Sequence, residues 1–140
     1  ALGVPRADRA ELIGEWLDEA VGAQLATSRG ALRRLADDDA DASAWKDARR
    51  GVHTVKGNAA CVGLLRYEAY ALNWLDALDA AERAPRDRAS AVPALLLEVD
   101  ALEVRAKAHA HHALQTLARL PERYREQDPD DLTDDEDPGS

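Results

Sequence analysis

Apolar side chains recur along the chain at alternating intervals of three and four residues, the mark of helices that bury one face. The period is cleanest at Trp45, Ala48, Val52, Val55, Ala59 and Val62, which define a single buried stripe. That helix follows the acidic turn at residues 37–43, where Asp41 or Ser43 suits the N-cap. Upstream, Leu12, Trp16, Val21, Leu25, Leu32 and Leu35 predict a helical region from about Asp8 to Asp37. Asp8 with Glu11 gives it a capping-box-like start, and Gly22 and Gly30 are the places where it would kink or split. Gly63 suits the C′ position that closes the Trp45–Val62 helix. Leu64, Leu65, Tyr67, Ala71, Leu72, Trp74, Leu75 and Leu78 then cover more than one face of a third helix reaching about Arg83. So short a connection implies an antiparallel hairpin. Pro85 breaks the pattern, and Pro93 is tolerable only in a first helical turn. A last helix carries Leu95, Leu96, Val99, Leu102, Ala106, Ala110, Ala113, Leu117 and Leu120, and Pro121 marks its end. Four amphipathic helices joined by short turns predict an all-α, antiparallel up-and-down four-helix bundle, with no repeat of solenoid type.

Composition supports this picture and narrows it. With 140 residues, 46% of them hydrophobic, the chain suits one core; Phe is absent and β-branched residues are sparse, so local preference favours helix. The net charge of −9 is unevenly spread, since residues 126–140 hold eight acids and no Lys or Arg. Removing those eight charges leaves −1 for residues 1–125, so a nearly neutral bundle is expected to be followed by a disordered acidic linker or tail. No net basic field remains to attract nucleic acid. No apolar run approaches the ~20 residues that span a bilayer, and the N-terminus lacks a signal-peptide layout. Cys61 is the sole cysteine, expected as a small buried or half-buried thiol, which fits a reducing cytoplasm. The absence of Met points to a removed initiator or, as preferred here, a piece of a longer protein.

Candidate chemistry concentrates in the stretch RRGVHTVKGNAACVG, residues 49–63. On a helix of 3.6 residues per turn, His53, Lys56, Gly57 and Ala60 share one face beside the Val52/Val55 stripe. His53 should therefore stand at the edge of the core with its imidazole in solvent. Arg49 and Arg50, one turn earlier, would make a local cationic patch, although ordinary surface roles suit them better. Gly57 is informative because a glycine inside a helix costs about 0.5–1 kcal/mol relative to Ala. With Ala60 also small, a bulky partner can approach the imidazole from that side. A histidine with such clearance and a cation nearby suits a phosphoryl group, which brings nearly two negative charges and three acceptor oxygens. Neutral imidazole supplies the nucleophilic nitrogen.

The segment His53-Thr54-Val55-Lys56-Gly57-Asn58-Ala59, followed by Gly63, resembles the signature of histidine-containing phosphotransfer (HPt) domains. Those domains are four-helix bundles with the histidine on a solvent-facing helix, and the likeness spans roughly residues 8–120. The resemblance implies that His53 is the phosphoacceptor and that Lys56 neutralises the phosphoryl charge. Gly57, Ala60 and Leu64 would form the docking face, and Gly63 would shape the turn. It further implies a phosphorelay intermediate whose partners are a histidine kinase catalytic domain and a response-regulator receiver domain. The wording HTVKGNA looks most like the amino-terminal HPt domain of CheA-type chemotaxis kinases, with hybrid sensor kinases and free-standing shuttles as alternatives. Many members place a Glu or Gln on the next helix to orient the imidazole. An ungapped reading puts Leu72 near that place; a one-residue shift brings Asn73 and Asp76, and Glu68 is a further candidate.

No G-x-x-x-x-G-K-[ST] or other glycine-rich nucleotide loop occurs. The domain is expected to bind no cofactor itself, with ATP and Mg²⁺ used by partner domains, and to be monomeric. The competing reading is an unreactive bundle of the same shape that only docks a protein. His109 and His112 are i,i+3 neighbours with His111 beside them, but no Cys or paired acid completes a metal site. They read as solvated or half-buried histidines. Trp45, Trp74, Tyr67 and Tyr70 read as core or helix-packing residues.

Overall fold

The computed structural model describes residues 6–119, with side chains from residue 8. The expected acidic tail and the Pro121 helix stop lie outside the described residues. Helices α1 (Arg6–Glu19) and α2 (Leu25–Asp37) are joined by a π-helical turn, Ala20–Gln24, and are followed by α3 (Ala42–Cys61), α4 (Leu65–Glu82) and α5 (Arg88–Arg119). Each of α2, α3, α4 and α5 packs on the next, and α2 closes the ring against α5. The result is the expected all-helical, four-helix bundle, with α3 and α5 at opposite corners. α1 continues from α2 and lies against α5 and α3.

The first helical region splits at Gly22, and the form of the split revises its core. Leu25 N–H donates to Ala20 O, five residues back, so one turn contains an extra residue. In an unbroken α-helix Ala20 and Leu25 would lie about 140° apart. The π turn nearly superposes them. The buried set is therefore Ile13, Trp16, Ala20, Leu25, Ser28, Ala31, Leu32 and Leu35. Leu12, expected in the core, is 43% exposed, and Val21 is only half-buried. Asp8 lies inside the first turn of α1 rather than at its N-cap.

Asp41 is the N-cap of α3: its carboxylate accepts from Ala44 N–H at 3.1 Å. That hydrogen bond, with Arg34 3.6 Å away, holds the Asp41 carboxyl below the usual aspartate range. Because the folded value is depressed, the contribution to stability is complete above the unfolded value of about 4 and is lost as pH falls through the folded value. Asp41→Ala should lower the thermal midpoint at pH 7, and the gap from the parent should close as the pH is taken down through the acid range. Circular dichroism melts at a series of pH values check this; a gap independent of pH would contradict it.

At its other end α3 closes with Gly63 in the left-handed region at φ 83°. Gly63 N–H donates to Ala60 O at 3.1 Å and Leu64 N–H to Ala59 O at 2.9 Å, a Schellman motif that turns the chain directly into α4. The α3/α4 pair is the antiparallel hairpin that the short connection implies. In α5, Pro93 falls at the sixth residue rather than in the first turn. It removes the i+4 donor of the Ala89 carbonyl, at a position where both residues are exposed and the loss costs least.

Buried aromatic side chains tie the layers together through their polar ends. Trp16 Nε1 donates to Val55 O at 3.1 Å, and the Trp16 ring meets Tyr67 edge-on at 5.0 Å. Tyr67 OH donates to Leu102 O and Trp74 Nε1 to Leu95 O, both at 3.1 Å. Burial pushes the Tyr67 phenol well above its usual pKa, so it stays a neutral donor. Trp45 Nε1 closes the α2–α3 turn on Asp39 O at 2.9 Å.

Candidate functional site

On α3, Trp45, Ala48, Val52, Val55 and Ala59 are buried as their spacing requires, and the chain's two faces diverge from there. His53 is exposed; Lys56, Gly57 and Ala60 are half-buried on the same edge. Among the described residues neither His53 nor Lys56 has a hydrogen-bond or ion-pair partner. Both imidazole nitrogens are thus open to an incoming group. The helix beneath is fixed: Trp16 holds the Val55 carbonyl two residues on, and Gly51 lies two residues before, against α2.

Gly57 and Gly51 are glycines for different reasons. A Cβ built on Gly51 falls within 3.0 Å of Ser28 Oγ and of the Gln24 backbone oxygen, so α2 and α3 touch there. A Cβ on Gly57 meets nothing within 4 Å. No contact inside the domain requires a glycine at Gly57. Gly30 shares that openness, but it is remote in sequence from the histidine, whereas Gly57 stands one turn from His53.

The arginines upstream do not form a free cationic patch. Arg49 pairs with Asp79 at 2.9 Å and with Glu82, both on α4, while Arg50 pairs with Asp47 at 3.0 Å. Among the described residues, Lys56 is left without an ion-pair partner on the edge that carries His53. On the phosphoacceptor role that the resemblance implies for His53, Arg49→Ala should change phosphoryl acceptance less than about twofold, whereas Lys56→Ala should slow it at least roughly tenfold, the loss of one charge-assisted contact of about 1.5 kcal/mol. Initial rates of acceptance from a fixed donor compare the two.

The Arg49 pairs also set the register of the hairpin. One turn nearer the connection on both helices, His53 comes level with Leu75, and Leu72 follows on the same edge of α4. Leu75 is buried and Leu72 is 47% exposed. Glu68 shares that edge but lies ~10 Å further along, seven residues at 1.5 Å each. Asn73 is exposed and lines a groove between α4 and α5, away from α3, and Asp76 is exposed about 60° from the Asp79 edge.

Three sequence expectations are corrected by burial. Leu64, expected on the docking face, is 1% exposed, because as the residue after Gly63 in the Schellman motif it turns into the core beside Ala59. The exposed leucines nearby are Leu65 and Leu72, each 47% exposed. Cys61, expected to be buried or half-buried, is exposed at the last helical position of α3. His109 is buried between the edges of Tyr67 and Tyr70, at 6.2 and 5.8 Å, rather than solvated or half-buried. Among the described residues no group of three His, Cys, Asp or Glu side chains is placed to hold a metal, and no helix is long and apolar enough to cross a membrane. Gly51 was missed in the sequence, where its conformity with the buried stripe of α3 hid a contact that only the packing of two helices reveals.

No curated protein and no solved structure shows significant similarity to the chain. The Hpt domain family matches residues 11–105, from the second turn of α1 into the middle of α5 and across the whole His53 edge. With more than half its length matched and an exposed histidine followed by Lys56 and Gly57 on α3, the second helix of the four-helix bundle, the chain belongs to the Hpt domain family.

Proposed function

We propose that this domain is a phosphorelay intermediate in which His53 takes a phosphoryl group from a histidine kinase catalytic domain, or from a receiver aspartate, and passes it to a receiver aspartate. The single observation that carries the reading is the pairing of an exposed, unpartnered imidazole with an open glycine one turn away. In each transfer an imidazole nitrogen lone pair forms the N–P bond as the P–O bond to ADP or to the aspartyl carboxylate breaks. The ring then loses its proton, and the reverse polarity returns the phosphoryl group to an oxygen. Catalysis of this kind is positioning and charge stabilisation. Lys56 offsets the phosphoryl charge, and Gly57 and Ala60 leave space for the donor or acceptor. ATP and Mg²⁺ are supplied by partner domains. The wording of the motif favours the amino-terminal position in a CheA-type kinase.

A second reading has its own support. His53 has no hydrogen-bond partner among the described residues to orient its ring, so the same exposed edge suits a bundle that docks a partner without reacting. Incubation with a phosphorylated receiver domain, and separately with a CheA-type catalytic fragment, ATP and Mg²⁺, decides between them. One added phosphoryl group by intact mass, acid-labile, base-stable and located on His53 by fragmentation, is the expected result. A folded chain that remains unmodified by every donor would establish the docking bundle instead.

A further inference from the structure

α5 carries two apolar faces, and the bundle uses one of them. Val92, Leu95, Val99, Leu102 and Ala106 point inward and are buried. About 170° away around the helix, Ala94, Leu97, Ala101, Val104 and Ala108, with His111 at the end, recur at intervals of three and four over 18 residues, a seam of about 26 Å. Leu97 is 71% and Val104 67% exposed, higher than the other large exposed apolar side chains. Small and branched residues alternate along this seam, so two such helices running in opposite directions place each branched side chain against a small one.

We propose that this face of α5 is an interface with a second copy of the chain, packed antiparallel about a two-fold axis between residues 102 and 103. Leu97 then meets Ala108 of the second copy, and Ala101 meets its Val104. The flanking charges are self-complementary in this direction. Glu98 faces Arg105 of the second copy, and Asp100 faces its Lys107. A parallel pair would leave Glu98 and Lys107 without an opposite charge and would set Leu97 against itself. Arg105 supplies a further observation. Its guanidinium lies 3.8 Å over the Tyr70 ring beside a groove of about 420 Å³ that Glu98 and Ala101 also line, so a half-buried cation stands on the flank of the seam next to Glu98. Asp100 and Lys107 already pair with Arg29 and Glu103, but these are surface pairs with exposed members, which exchange at little cost.

One seam of this length falls short of the roughly 800 Å² per partner of a standard interface, so the association is reversible and concentration-dependent. It departs from the monomer expected from sequence. α3 occupies the corner opposite α5, and both His53 edges therefore stay open in the pair.

Sedimentation equilibrium of the full chain from about 10 μM to 1 mM should show a monomer–dimer equilibrium. Leu97→Glu and Val104→Glu should each weaken it by at least roughly tenfold, because a carboxylate would be buried without a partner. Glu98→Arg should weaken it as well, and Glu98→Arg combined with Arg105→Glu should restore it. In a Cys61→Ser background, Ala101→Cys, whose copies sit near the axis, should oxidise to a linked dimer. His111→Cys should not, since its copies are ~25 Å apart along the axis. A monomer at every concentration, a dimer indifferent to Leu97→Glu and Val104→Glu, or equal linkage through His111→Cys would overturn the proposal. Circular dichroism verifies that each variant is folded. Phosphoryl acceptance by His53 should be unchanged in Leu97→Glu, so this interface and the phosphotransfer reading succeed or fail separately.

Discussion

Gly51→Ala should destabilise the domain by about 2–4 kcal/mol, against the ordinary direction for a glycine inside a helix. Replacing a helical glycine by alanine normally stabilises by about 0.5–1 kcal/mol. Here the added methyl falls within 3.0 Å of both Ser28 Oγ and the Gln24 carbonyl oxygen, so α2 and α3 must move apart. Ser28 Oγ donates to Ala48 O at 2.7 Å in the same buried layer, and separating the helices breaks that bond as well. Ser28→Ala alone removes the hydroxyl but leaves the Gln24 backbone in place. Combining it with Gly51→Ala should therefore recover only part of the loss. Chemical denaturation of the two single variants and the double variant tests the account, and a loss below about 1 kcal/mol for Gly51→Ala would refute the close approach.

Packing of this kind marks the limit of what the sequence makes legible. The α3 stripe from Trp45 to Ala59, the α3 cap, narrowed to Asp41 or Ser43, and the Gly63 turn are each set by residues within a few positions of one another and can be read from spacing, although Val62 ends the helix half-buried. The buried face of the first helical region cannot. Its register depends on one extra residue in the turn at Ala20–Gln24, which slides Ile13 inward and Leu12 outward without changing any local preference. Gly51 looks like one more small member of a buried stripe until α2 is laid against it. Leu64 and Leu65 are indistinguishable by composition, and the Schellman geometry alone decides which turns inward. Arg49 reads as a free cation until the α4 register brings Asp79 and Glu82 beside it.

The α4 register also bears on rate. With Leu75 and Leu72 on the α4 edge level with this part of α3, His53 has no hydrogen-bond partner among the described residues that would fix which nitrogen carries the proton. In the phosphotransfer proposed for this domain, the reactive tautomer is then selected within the docked complex.

His53→Gln should abolish phosphorylation while leaving stability unchanged, since the side chain is exposed and its ring touches no partner among the described residues. Glutamine is a good helix former and offers an amide too weakly nucleophilic to form the N–P bond. That loss identifies the acceptor, and Gly57 identifies the reason for its surroundings. Gly57→Gln should raise stability by about 0.5–1 kcal/mol, because a Cβ there meets only open space and the helix gains a better former. The same change should slow phosphoryl transfer at least roughly tenfold by filling the approach to His53. Gly30→Gln, an equally open helical position remote in sequence from the site, should share the gain in stability and leave transfer untouched. Opposite signs for stability and rate at Gly57, set against matching stability and an unaltered rate at Gly30, cannot arise from a structural role within the domain. They require that the space beside His53 belong to a second protein during the reaction. A Gly57→Gln variant that transfers at the parental rate would show that the docked partner approaches from another side.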